Sequence, residues 1–442
     1  MSFAGSQQEE VAEHTRWNFA VIVSEAAFFM AGLAWVEPSA VLPLFISHLG
    51  GSTVIVGLIA VMLQLGFKVP QVFMAAVIGH RPNRLPYLRW PILLGVIPLL
   101  AFVVYLWLAG VGNAVTVLWF LAIAYCCLFL GNGFLGLPWY DIVAKSIPPG
   151  LRGRFFGTMQ FVSAITAFAV GFAVRYALGP AGPGYPRSYI FLFTAMGLFM
   201  CLSTIGCWMI REPIRPVLAR PQSLAEILRS ALPMLRNQPA FRSLTITALF
   251  AFAVMGATPF YIVYAKQHLG IRDEAAGMYI WAWTIGGAIA SLLWGHLNDS
   301  RGPRAVVRGT SVLLCLTPLL ALALPASVLW LGQTFPCLIS ALPYLYGLVF
   351  LCAGASVNAI WFGATNYLFE LAGHEHRPRY IAVFQLCTIP SSLSALALGW
   401  LLNHAPFALM FALAATCGAA ALVSSLRMPI PTTGDALPAA DG

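Results

Sequence analysis

The chain has 442 residues, of which 60% are hydrophobic and only 9% charged. A soluble domain of this size carries roughly 25% charged residues, so lipid must solvate most of this surface. The formal net charge of +9 does not point to nucleic acid, because the cations sit singly in short segments between apolar runs and form no tract. The nine cysteines lie scattered in apolar stretches without C-x-x-C spacing, which reads as small buried hydrophobes rather than disulfides or a metal site.

Residues 1–15 are polar and acidic and lack the basic start of a signal peptide. They are expected to form a cytoplasmic tail, with the first helix acting as its own insertion signal. Twelve apolar runs of spanning length follow, over about 17–45, 52–78, 85–109, 114–139, 154–178, 188–210, 241–265, 274–295, 305–325, 338–366, 379–402 and 405–426. The first is long and holds Pro38 and Pro43, which predict a kink.

Between the sixth and seventh runs lies a polar linker, 211–240. Ser223 and Glu226 form a capping box, and Leu224, Ile227, Leu228, Ala231 and Leu235 follow at helical spacing. The expectation is a short amphipathic helix on the membrane surface. The last residues, 428–442, are rich in Pro, Ala and Gly and read as a disordered tail.

The distribution of cations orients the chain. With the N-terminus inside, 19 Lys and Arg face the cytoplasm, four face outward and Lys68 lies within a helix. Such a bias is the signature of an inner-membrane protein with both termini cytoplasmic.

The chain also repeats. His48-Leu49-Gly50 recurs as His268-Leu269-Gly270, and Gly57 as Gly277. Gly79-His80 recurs as Gly295-His296, and Arg152-Gly153-Arg154 with Gln160 as Arg377-Pro378-Arg379 with Gln385. The period covers six spans, so the halves are parallel copies about an axis normal to the membrane, 16–210 and 241–427, with a site between them near mid-depth.

On these features the chain resembles the major facilitator superfamily. The most specific stretch is Gly295-His296-Leu297-Asn298-Asp299-Ser300-Arg301-Gly302-Pro303-Arg304, similar to that family's loop motif. The resemblance implies an all-α fold of twelve transmembrane helices in two six-helix bundles. It also implies a latch of helix ends on the cytoplasmic face, built from Gly295, Asp299, Arg301 and Arg304. Arg152, Arg154, Arg377 and Arg379 join it on the same face. The first-half copy, Gly79-His80-Arg81-Pro82-Asn83-Arg84, lacks the Asp, and Asp141 is a candidate to serve Arg81 or Arg84 instead.

Charges at membrane depth are costly, about 2.5–3.5 kcal/mol each on insertion scales, and mark candidate sites. Glu25 and Glu37 on the first helix and Lys68 on the second stand out. By rise per residue Lys68 lies ~8 Å in depth from Glu25 and ~10 Å from Glu37, so either could neutralise it. The competing reading gives a glutamate the coupling proton, with Glu37 favoured for proton or substrate contact.

In the second half the cavity candidates are polar or aromatic: Tyr261, Tyr264, Tyr279, Trp281, Asn358, Trp361 and Asn366. No paired arginines sit at mid-depth, which favours a neutral, amphipathic or cationic substrate. His374-Glu375-His376 reads as a solvated loop, and neither a P-loop nor a catalytic triad spacing occurs. The expectation is therefore a monomeric, cofactor-free transporter in the lipid bilayer, neither an enzyme nor a nucleic-acid binder. It would move a small-molecule substrate, with proton-coupled efflux ahead of nutrient uptake. A non-transporting assembly or sensor protein is the alternative from another class.

Overall fold

The computed structural model of the chain describes residues 2–78, 81–213 and 224–430, with the side chains among them other than those of 2–13, 149, 358 and 373–378. Ser223 of the expected capping box, the pair Gly79-His80 and the tail beyond 430 lie outside the described residues. So do the side chains of Asn358, Arg377 and His374-Glu375-His376.

The described chain is helical throughout. The first half holds α1 (Ser2–Trp35), α2 (Val41–His48), α3 (Thr53–Ile78), α4 (Leu85–Ala109), α5 (Ala114–Ser146), α6 (Pro149–Leu178) and α7 (Arg187–Met209). A surface helix, α8 (Leu224–Asn237), follows. The second half holds α9 (Pro239–Met255), α10 (Thr258–Leu269), α11 (Ala275–Arg301), α12 (Pro303–Gly332), α13 (Cys337–Thr388), a 3₁₀ turn (Ile389–Leu393), α14 (Ser394–Leu401) and α15 (Phe407–Leu426). Among the described residues, 12 helical stretches are long and apolar enough to cross a membrane. Their outward faces carry large bare apolar side chains, Leu108 being 83% exposed and Leu292 78%. Only a lipid environment leaves such a surface stable.

The sequence explains the helix ends. Proline opens α4, α6, α9 and α12, where its missing N–H is one of the unsatisfied donors of a first turn in any case. Asn113 caps α5, its side chain accepting from the Thr116 N–H at 3.1 Å.

Three spans are interrupted. The first, read from the sequence as one kinked helix, is two helices separated at 36–40, because Pro38 can neither donate nor fit inside a turn. Pro43 sits in the first turn of α2 and breaks nothing. The seventh is parted between Met255 and Thr258, at the position that the repeat pairs with Glu37. The eleventh contains the 3₁₀ turn. Such breaks are tolerated inside a membrane where protein, not lipid, surrounds the freed backbone groups. One expectation fails: the segment 373–378, read as a loop, continues the helical backbone of α13.

The two bundles meet along a seam. α3 packs on α13, the 3₁₀ turn and α14. α6 packs on α11, and α2 touches α10. The seam is tight where glycines allow it. Gly171 of α6 and Gly277 of α11 face each other so closely that a Cβ on Gly277 would lie 2.6 Å from the Arg175 backbone nitrogen. α8 buries Ile227 and Met234 against the second bundle and leaves Leu228 and Leu232 exposed.

Candidate functional site

The seam brings together residues from both bundles at mid-depth, and Lys68 stands at its centre. Its side chain leaves α3 and enters the second bundle, where the residue is only 2% exposed. The Nζ donates to the Ser392 hydroxyl at 3.1 Å and the Thr388 carbonyl at 3.3 Å, and lies 3.5 Å from the Ser391 hydroxyl. These acceptors are available because the 3₁₀ turn interrupts the α-helical ladder of the eleventh span. The ring of Phe252 lies 4.6 Å from Nζ and that of Trp361 5.9 Å, and the two rings stack on each other at 4.5 Å. Three residues on from Lys68, Gln71 accepts from the Gln385 amide at 3.0 Å, while the Gln385 Oε1 is buried without a partner.

Neither glutamate meets Lys68, which corrects the pairing expected from depth. Glu25 turns into the first bundle, accepting from the Trp139 indole and the Ser203 hydroxyl at 3.0 Å each. Glu37 lies in the break between α1 and α2 and accepts from the Ser39 N–H at 2.7 Å. Its backbone carbonyl takes the N–H groups of Ala40, Val41 and Leu42, which start α2. Depth along the membrane set only one coordinate. The direction of each side chain around its helix set the partners, and it sends Lys68 across the seam.

The aromatic candidates divide. Trp361 covers Lys68. Trp281 crosses the seam, its indole donating to the Phe168 carbonyl at 2.9 Å beside Phe172 and Arg175. Tyr261, Tyr264 and Tyr279 instead pack within the second bundle. Tyr261 stacks on Phe411, Tyr264 meets Phe407 and Phe411, and Tyr279 stacks on Phe350 at 4.4 Å. Asn366 donates to Asn298 at 3.3 Å, at the Arg-rich end of α11.

The bundles are tied at the end opposite the arginines. His48 at the end of α2 forms an ion pair with Asp273, which also receives Lys266 at 2.9 Å. Burial pushes the Asp273 carboxyl up, but the hydrogen bonds and charges of His48 and Lys266 outweigh it and hold the group below its ordinary value. Thr53 donates to the Gly399 carbonyl at 2.8 Å.

At the Arg-rich end the expected latch is not assembled. Asp299 is exposed and makes no ion pair or hydrogen bond among the described residues, so it does not meet Arg301 or Arg304. Gly295 has nothing within 4 Å of its Cβ direction, and the same holds for Gly157 across the seam on α6. With no cation within reach among the described residues, this exposed carboxylate on α11 stays hydrated. Arg152 binds carbonyls of its own bundle at Ala144 and Ile147, Arg154 is exposed, and the Arg379 Nε is buried without a partner.

In the first bundle Asp141 receives the Arg84 Nε at 2.8 Å and Lys145 at 2.9 Å. Glu212, which the sequence did not single out, completes that cluster. It accepts from the backbone N–H groups of Arg84 and Leu85 at 2.6 and 3.0 Å and from Lys145 at 2.9 Å. The carboxylate absent from the first loop is thus supplied from just after α7, at the N-terminus of α4 where negative charge is favoured.

A profile described as Major Facilitator Superfamily matches residues 244–441. An uncharacterized protein of Mycobacterium tuberculosis, Rv2209, is 23% identical over 441 residues, spanning 96% of this chain and 79% of its own length. Among solved structures, a mutant form of the nucleoside transporter NupG superimposes with a TM-score of 0.66 at 12% identity, covering 93% of this chain and 99% of its own. A D-xylose–proton symporter gives 0.64 at 13% identity, covering 95% and 99%. A bacterial homologue of the iron transporter ferroportin in its outward-facing state gives 0.61 at 15%, covering 93% and 99%. At these identities the likeness is one of fold.

Proposed function

We propose that the chain, whose residues 244–441 match the Major Facilitator Superfamily profile, is a secondary transporter of that superfamily that works as a monomer, exporting a small organic solute from the cytoplasm in exchange for protons. In this reading the protein lies in the inner membrane with the Arg-rich face and both termini in the cytoplasm, a placement that the distribution of cations favours. The bundles rock about the seam between a state closed at His48–Asp273 and one closed at Asp299. The unpaired Asp299 fits a latch that engages only in the second state.

The observation that carries proton coupling is Glu37. Its carboxylate sits in a helix break, accepting from the backbone N–H groups of Ser39 and Ala40 and from the Ser39 hydroxyl, and meets no cation among the described residues. An uncompensated carboxylate at membrane depth is costly, and taking a proton relieves that cost. A group whose charge is relieved in one access state and hydrated in the other couples proton flow to the motion.

The test uses proteoliposomes under an imposed pH gradient, with radiolabelled benzoate and ethidium as probes of opposite charge. Wild-type protein should accumulate a probe only with the gradient, and Glu37→Gln should lose that dependence while melting at the same temperature. Gradient-independent flux in the wild type would remove proton coupling, and flux of neither probe would count against small-solute export. The sequence, lacking paired arginines, favours a neutral, amphipathic or cationic solute; the surroundings of Lys68 point elsewhere.

A further inference from the structure

The chain has 15 acidic residues, and the two carried by its first span are Glu25 and Glu37. Both are engaged within the first bundle, and no described carboxylate reaches Lys68. The ammonium is therefore buried with neutral acceptors alone: one carbonyl, two hydroxyls and two aromatic faces. Every one of them belongs to the second bundle, whereas Lys68 belongs to the first. Any parting of the seam at this level strips the cation of all its partners at once. A buried cation left that way is strongly unfavourable unless an anion or water takes their place.

We propose that Lys68 anchors an anionic group of the transported solute, a carboxylate or a phosphate, with the apolar or aromatic body of that solute resting against Phe252 and Trp361. The inference rests on the transporter reading above and names its substrate class. The Ser392 hydroxyl, freed from Nζ, becomes a second donor to the same anion. The two rings, already stacked and edging the ammonium, offer a flat apolar wall of the size of one small ring. A single lysine, rather than an arginine pair, suits one charged group on an otherwise apolar molecule.

The test uses the purified full-length protein in lipid nanodiscs, with benzoate and phenyl phosphate as anions and benzamide and benzylamine as controls of like shape. One or both anions should raise the melting temperature in a saturable way, and which one does so identifies carboxylate or phosphate. Lys68→Gln should weaken that binding by about tenfold or more, and Ser392→Ala by less. Because Lys68→Gln can fail to fold, acylation of Lys68 in the wild-type protein is followed by mass spectrometry. The anion should protect the amine and benzamide should not. Equal stabilisation by the controls, no stabilisation by either anion, or unprotected Lys68 overturns the inference. Spin-label distances between positions 52 and 403 in the same samples report whether the bundles part. Parting without anion binding overturns the anchor alone, and no parting under any solute or pH counts against the transporter reading.

Discussion

Trp281 on α11 donates its indole N–H to the carbonyl of Phe168 on α6, 2.9 Å away in the other bundle. The bond is one of few polar ties along that side of the seam, and it sits beside the Gly171–Gly277 approach. Trp281→Phe keeps an aromatic ring but removes this bond, while the Phe168 carbonyl keeps its helical partner within α6, at a cost of about 0.5–1.5 kcal/mol to the closed form. Spin labels across this end of the seam should show the open population rise several-fold. An unchanged distance distribution would mean that the glycine contact alone holds this side shut.

The His48–Asp273–Lys266 cluster gives the closure a pH dependence. The Asp273 carboxyl is held below its ordinary value, with Tyr185 and Tyr189 packed around His48. Its ionised form contributes to closure at any pH above the ordinary carboxylate range. That contribution fades as pH falls through the depressed value, where the protonated acid no longer attracts His48 or Lys266. Distances across this face should widen only in strong acid, and Asp273→Asn should show the wide distribution at neutral pH.

Glu25→Gln should lower the melting temperature without touching proton coupling. The carboxylate accepts from the Trp139 indole and the Ser203 hydroxyl, with the Cys207 thiol a third donor. An amide offers one oxygen and turns its NH2 toward a donor, leaving about 1–3 kcal/mol unrecovered. Loss of gradient-driven transport with an unchanged melt would show instead that Glu25 carries the proton.

Glu212→Gln should destabilise the first bundle. Its side chain is fully enclosed and joins Lys145 to the start of α4. Hydrogen bonds to a charged group are worth about 1.5–3 kcal/mol each, so the melt should fall clearly. Asp141→Asn, at a carboxylate 36% exposed, should cost less.

The sequence made the spans, the parallel repeat and the loop motif legible because each depends on local pattern: a run of apolar residues, a period, a short string. Pro38 marked the break in the first span for the same reason. The partners of Lys68 were not legible. They lie about 320 residues further along the chain and are neutral, so a search for opposite charge passed over Ser391 and Ser392. Ile389-Pro390-Ser391-Ser392 did carry a signal, since a proline followed by two hydroxyls inside an apolar run predicts a local break with free acceptors. Glu212 was hidden because the carboxylate missing from one loop came from another.

The short helices α2 and α10 touch each other at the closed end, and each joins its long neighbour through a non-helical break, at 36–40 and 256–257. Both tips are themselves buried, Phe45 and Phe260 being 0% exposed, so each moves with the bundle it packs in, bending at those few backbone torsions. On the transporter reading, opening at this end is therefore the rocking of the bundles with a bend at two short helices of eight and twelve residues. The duplicated breaks thus place a matched pair of bending points on the two sides of the closed end.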